Sequence, residues 1–205
     1  ISPDKNILTM EYHPHRGLAY MAACLEQRGH ALRIVDSVSS NNDMKQAVKQ
    51  IIEFKPNIVG FTATTASRFK TINIINAVKR ETNAFIVAGG PHFHPTARDA
   101  MSKIPVIDSI VKGEGEKTMV EITQALEANE SLSGIHGIFF RQDNNILETP
   151  DRQINNDLDS LPLPAYHLFD LKRYKTCLHG KKKIPAFRVI SSRGCPCKCI
   201  FCSIT

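Results

Sequence analysis

No stretch of this 205-residue chain stays apolar for the roughly 20 residues that cross a bilayer, and Ile1-Ser2-Pro3-Asp4 lacks the charged-then-apolar pattern of a secretory leader. The expectation is a soluble, cytoplasmic protein. Internal repeats and low-complexity tracts are also missing, which leaves an ordinary globular composition, 42% hydrophobic and 22% charged. Position 1 is not Met, and Cys202-Ser203-Ile204-Thr205 follows directly on a dense cysteine motif, so both ends read as cuts. Acidic side chains are absent from one long segment: Lys172 to Lys198 carry nine Lys/Arg and no Asp/Glu, whereas residues 1–171 hold 17 basic against all 20 acidic groups. The net charge of +6 is therefore local, the main domain is mildly acidic, and a nucleic-acid-binding domain is poorly supported. Lys181-Lys182-Lys183 reads as a solvated connector or as a contact for an anionic substrate, a partner or nucleic acid.

Cysteine is scarce and unevenly spent. Of Cys24, Cys177, Cys195, Cys197, Cys199 and Cys202, four fall within eight consecutive positions. Disulfides staple distant segments of secreted chains, whereas clustered thiols in a leaderless chain read as metal ligands or redox groups. Cys24, on a helical pattern, is expected to be a small buried hydrophobe.

Hydrophobic periodicity predicts a regular alternation. Strands are expected at Lys5–Met10, Ala31–Asp36, Ile58–Phe61, Phe85–Ala88 and Val106–Val111. Helices are expected around Leu18–Leu25 with a stop at Gly29, around Met44–Ile52 after a cap at Asn41 or Asn42, on the stripe Phe69, Ile72, Ile75 and Val78, over Thr96–Ser102, and on Met119, Ile122 and Leu126. Five such βα units imply an α/β fold with a doubly wound parallel five-stranded sheet, whose ligands bind at the strand C-terminal ends. Gly137–Arg141 and Ile146–Glu148 then read as a hairpin, followed by a connector near 149–185 and a strand at Ala186–Ser191 that leads into the cysteines. The expected divisions are 1–140, 141–185 and 186–205.

The cysteine loop has the spacing Cys195-x-x-x-Cys199-x-x-Cys202. Three thiolates on one tight loop can each hold one iron of a cubane, leaving the fourth iron open to a non-protein ligand. Gly194 permits close backbone approach, Pro196 stiffens the turn and Phe201 can shield one side. A zinc site using all four thiolates is the alternative, although four ligands within eight residues leave little chain to wrap a tetrahedron.

At the predicted strand ends stand Phe61-Thr62-Ala63-Thr64-Thr65, Ala88-Gly89-Gly90-Pro91-His92 and Lys112-Gly113-Glu114-Gly115-Glu116. Each reads either as an ordinary βα turn or as a ligand loop, in which glycine admits a bulky group to the backbone and hydroxyls bond its amides or phosphate.

The loop resembles the radical S-adenosylmethionine (radical SAM) superfamily in its spacing, in Arg193-Gly194-Cys195-Pro196 and in Phe201-Cys202; Cys197 stands where an aromatic residue is common. The resemblance implies a 4Fe–4S cluster on Cys195, Cys199 and Cys202, with S-adenosylmethionine on the open iron yielding a 5′-deoxyadenosyl radical upon one-electron reduction by a donor such as flavodoxin or ferredoxin. Gly17-Leu18-Ala19-Tyr20, Lys55-Pro56-Asn57-Ile58-Val59-Gly60-Phe61-Thr62, Gly89-Gly90-Pro91-His92 and Gly113-Glu114-Gly115-Glu116 resemble the cobalamin-binding domain that precedes many radical SAM barrels, and Leu158-Asp159-Ser160-Leu161-Pro162-Leu163-Pro164 resembles its connector. This likeness implies a flavodoxin-like (Rossmann-like) domain, cobalamin contacts at Gly17, Thr62, Thr64, Thr65, Gly89, Gly90, Pro91, His92, Gly113, Glu114, Gly115 and Glu116, and methylation or ring formation on a small-molecule substrate. The Asp-x-His-x-x-Gly motif for a lower cobalt ligand is absent. Glu11-Tyr12-His13 comes close with Gly17 one residue too far, so a cobalt without histidine below is expected; His15 and His94 read as exposed loop residues. A barrel needs about 200 or more residues, so the chain alone is not expected to turn over. A non-enzymatic cobalamin module and a zinc-stabilised interaction protein are the rivals.

Overall fold

The computed structural model describes residues 13–36, 44–178, 182–185, 190–195, 197, 199, 200 and 202. The expected strand at Lys5–Met10, the caps Asn41 and Asn42, and most of the strand at Ala186–Ser191 lie outside the described residues. In chain order the first elements are α1 (Arg16–Glu26), α2 (Met44–Phe54), β1 (Ile58–Thr62), α3 (Arg68–Glu81) and β2 (Phe85–Gly89). There follow α4 (Gly90–Phe93), α5 (Ala97–Lys103), β3 (Ser109–Val111), α6 (Glu116–Ala128), β4 (Ile138–Gln142) and β5 (Asn145–Glu148). A separate hairpin, β6 (Lys175–Leu178) with β7 (Lys182–Pro185), comes last.

The sheet has the order β1-β2-β3-β4-β5. Its first three strands are parallel, with Gly60 opposite Val87 and Ala88 opposite Ile110. The other two are antiparallel, so the sheet is mixed rather than wholly parallel: the hairpin joins the free edge of β3, with Ile110 opposite Phe139. Its two-residue turn is possible because Asp143 and Asn144 take left-handed backbone angles (φ 48° and 65°), which match the twist of the strands. The segment 31–36, expected as a strand, belongs to no described ladder.

The alternation of β2, β3 and β4 sorts two cores. Ile86, Ile110 and Phe139 point to the side where α2, α3 and α5 bring Ile51, Ile75, Val78 and Met101. Val87, Val111, Ile138 and Phe140 point to the other, where α6 brings Met119 and Ile122. Covering both faces is what makes these strands apolar throughout.

Two expectations shift for local reasons. The strand expected from Val106 begins only at Ser109, because Asp108 uses its side chain in the ladder: Oδ2 accepts the Ile86 N–H at 2.7 Å and Lys79 Nζ at 2.8 Å. Phe69, expected on the buried stripe of α3, is 65% exposed. The buried face is set by Ile74, Ile75 and Val78, and a residue six positions before Ile75 falls about 120° away around a helix of 3.6 residues per turn. The Phe69 ring instead lies under the Arg68 guanidinium at 4.1 Å. Among the described residues, no helix is long and apolar enough to cross a membrane.

Candidate functional site

The C-terminal ends of β1, β2 and β3 open into a cleft of about 600 Å³, closed on one side by the start of α1 and on another by residues 190–194. Part of its floor is bare backbone. Gly60, exposed in the middle of β1, has nothing within 4 Å of where a Cβ would stand, and the same holds for Gly113. Met21, Val111 and Met119 add apolar walls. Bare backbone at Gly60 and Gly113, apolar flanks and a few polar groups suit a large flat ligand that packs against the main chain.

Of the twelve positions expected to contact a cofactor, Gly17, Thr62, Gly89, Gly90, Gly113, Glu114, Gly115 and Glu116 line this cleft, whereas Thr64, Thr65, Pro91 and His92 do not. Thr64 is engaged at the start of α3, where its N–H donates to Ser67 Oγ at 3.0 Å and its hydroxyl accepts from Ser67 N–H. Thr65 Oγ1 lies 3.4 Å from His92 Nδ1. Burial, then the nearby Arg68, lowers the His92 pKa. Gly90 serves packing: at φ +85° its missing Cβ leaves room for Thr62 Oγ1, which would otherwise stand 2.3 Å away.

Of the two histidines read as exposed loop residues, His15 is exposed and His94 is half-buried. His15 caps α1, its Nδ1 accepting the Leu18 N–H at 3.2 Å, and it lines the cleft. Although the residue is exposed by area, the chain around its ring desolvates it and pushes its pKa below the ordinary value, against the pull of Asp36. With Nδ1 accepting, a neutral ring carries its proton on Nε2 and offers a donor there. His94 is tied into the site by accepting the Gly113 N–H on Nδ1 at 2.8 Å, so it holds the β3–α6 turn. His13 is half-buried and does not line the cleft.

Gly60 and Arg193 enter the sequence reading only as members of the motifs Lys55–Thr62 and Arg193–Pro196, with no role of their own. Gly60 lay within a segment read as strand, where only its exposure reveals a role. Arg193 lay in the cysteine lead-in, where nothing in the spacing tells what it meets. It meets Glu116 at 2.7 Å and Glu114 at 3.3 Å.

Cys195 and Cys199 are exposed and Cys202 is half-buried; the Cys202 N–H donates to the Cys199 carbonyl at 3.0 Å. Among the described residues no three His, Cys, Asp or Glu side chains are grouped to hold a metal. Three cysteines on one loop suit an iron–sulfur cluster in number and chemistry, and gathering of such ligands commonly accompanies metal binding itself. Cys24 is half-buried rather than fully enclosed, and burial, followed by the charge of Glu116, raises its thiol pKa.

Residues 9–123 match the family described as the B12 binding domain. An uncharacterized methyltransferase of Pyrococcus horikoshii is 35% identical over 191 residues, covering 93% of this chain and 40% of that protein. The anaerobic magnesium-protoporphyrin IX monomethyl ester cyclase of Synechocystis is 32% identical, over 94% of this chain and 38% of its own length. The chain thus spans about two fifths of these relatives. Among solved structures, the radical S-adenosylmethionine methyltransferase TsrM of Kitasatospora setae, with cobalamin and a 4Fe–4S cluster bound, aligns at a TM-score of 0.60 and 23% identity, over 68% of this chain and 29% of that one. At that identity the likeness speaks for the fold.

Proposed function

The chain belongs to the B12-binding domain family, and from that premise we propose that it holds cobalamin in the strand-end cleft as part of a cobalamin-dependent radical SAM enzyme that methylates or cyclises a small-molecule substrate. In this reading residues 1–140 are the cobalamin domain; 141–185 are hairpin and connector, the hairpin continuing the sheet to Glu148; and 186–205 begin the catalytic domain. The observation that carries it is the position of residues 190–194: the lead-in to Cys195 is itself a wall of the cleft. A ligand seated there therefore lies beside the loop proposed to carry the cluster.

When bound, cobalamin supplies a methyl-carrying or electron-accepting cobalt, and the cluster with S-adenosylmethionine supplies one-electron chemistry. The chain's own part is placement. Gly60 and Gly113 give the ligand a backbone surface, Met21, Val111 and Met119 exclude water from its flanks, and Nε2 of neutral His15 offers a donor at the rim. Cys195, Cys199 and Cys202 are the proposed cluster ligands, with an electron donor such as flavodoxin or ferredoxin as partner.

Hydroxocobalamin titrated into the chain tests the cleft: a saturable change in the corrin spectrum at one equivalent supports it, and no change overturns it. Anaerobic reconstitution with iron and sulfide tests the loop. A broad visible absorption that bleaches with dithionite, and is lost when all three cysteines become Ala, is expected; a colourless tetrathiolate means zinc.

A further inference from the structure

Two positions before Cys195, the Arg193 side chain is only 14% exposed. Its Nη2 bonds Glu116 Oε1 at 2.7 Å, its Nη1 reaches Glu114 Oε1 at 3.3 Å, and its guanidinium carbon stands 5.2 Å from the centre of the Tyr20 ring. Glu116 is 9% exposed, a burial that an ionised carboxylate tolerates only when paired. Glu114 also accepts the Asn155 N–H at 3.4 Å, which ties the connector to the same turn. One planar, forked cation thus spans two carboxylates and an aromatic face, a combination that a lysine cannot reproduce.

Both carboxylates are occupied by this cation, and they stand on the turn whose glycines line the cleft. We infer that Glu114 and Glu116 are not cofactor ligands but the receiving half of a latch, in which the positioning residue Arg193 holds the cysteine lead-in against the β3–α6 turn as a wall of the cleft. Because the turn and residues 190–194 both line the cleft, its occupancy and the placement of the cysteine loop are coupled: a ligand that packs against the wall favours the latched loop, and the latched loop favours the ligand by the same factor. The latch stands on the ion pairs alone; the identity of the ligand it senses rests on the function proposed above.

The test compares Arg193→Gln, Arg193→Lys, Glu116→Gln, the double Gln variant and the swap Arg193→Glu with Glu116→Arg, all in the full chain. Without cobalamin, amide hydrogen exchange in residues 112–119 and 190–195 reads the latch directly. Exchange faster by about tenfold is expected in either Gln variant and partial recovery in the swap; rates unchanged from the parent protein overturn the latch. With hydroxocobalamin, dissociation is expected to quicken by about tenfold in each Gln variant, with the double variant no worse than either single one. Multiplying effects, with a normal exchange rate in Arg193→Gln, would instead make the carboxylates direct ligand contacts and refute the inference. If the parent protein binds no cobalamin, the proposed function fails, while the exchange comparison still decides the latch. Thermal melting checks that each variant is folded, and Arg193→Lys, which keeps the charge but not the fork, is expected to fall between the parent and Arg193→Gln.

Discussion

Replacing Gly60 separates the fold from the site. Gly60 sits in β1 opposite Val87, has no left-handed backbone angle, and has nothing within 4 Å of where an alanine methyl would stand. Alanine there therefore costs no contact and removes the entropy that a strand glycine loses on folding, about 0.5–1 kcal/mol in favour of the variant. For a chain of this size that corresponds to a midpoint roughly 1–4 °C higher. The new side chain, however, projects into the cleft where a flat ligand meets the main chain. Gly60→Ala is expected to weaken hydroxocobalamin binding by about tenfold and Gly60→Phe by about a hundredfold, near 1.4 and 2.7 kcal/mol. Visible absorbance titration measures the affinity, and melting of the same samples measures the fold. A folded Gly60→Phe protein that binds cobalamin within threefold of the parent would refute the assignment of this floor.

Gly90→Ala is expected to do the reverse and damage the fold, because φ +85° strains any Cβ and Thr62 Oγ1 stands in its way; a loss of about 2–3 kcal/mol in urea unfolding is predicted. Asp108→Ala strands the Ile86 N–H and removes one of the acceptors of Lys79, so a loss of about 2–4 kcal/mol is predicted, with Asp108→Asn intermediate. Hydrogen bonding to Lys112 lowers the pKa of Glu148 and of Asp151 from ordinary values of 4.5 and 3.8. Their contribution is therefore complete above those values and is lost as pH falls through the depressed ones, so Lys112→Met should flatten the acid limb of a stability–pH profile below about pH 4.5.

Much of the frame was legible because it follows from periodicity. Strands β1 and β2, the helices other than α4 and the hairpin each carry their own apolar pattern and turn residues, and glycine at successive strand ends marked the cleft. What periodicity does not carry was missed. The late start of β3 depends on Asp108 substituting a carboxylate for a ladder acceptor. The exposure of Phe69 depends on which of two overlapping apolar stripes faces the sheet. The mixed sheet depends on whether a hairpin joins a neighbouring edge, a choice that its own sequence does not encode. In the site, the short polar residues misled most: Thr64 and Thr65 have the right chemistry for a ligand but spend it on the start of α3 and on His92. Arg193 is the converse case, a residue whose role exists only once residues distant in sequence meet.

The central claim is that cobalamin lies on the ends of the three parallel strands beside the cysteine lead-in. Amide hydrogen exchange of the chain with and without hydroxocobalamin locates it most directly. Slower exchange in residues 60–63, 89–90, 112–116 and 190–194, with 151–156 unchanged, is the predicted result; binding that leaves those four segments unprotected would contradict it.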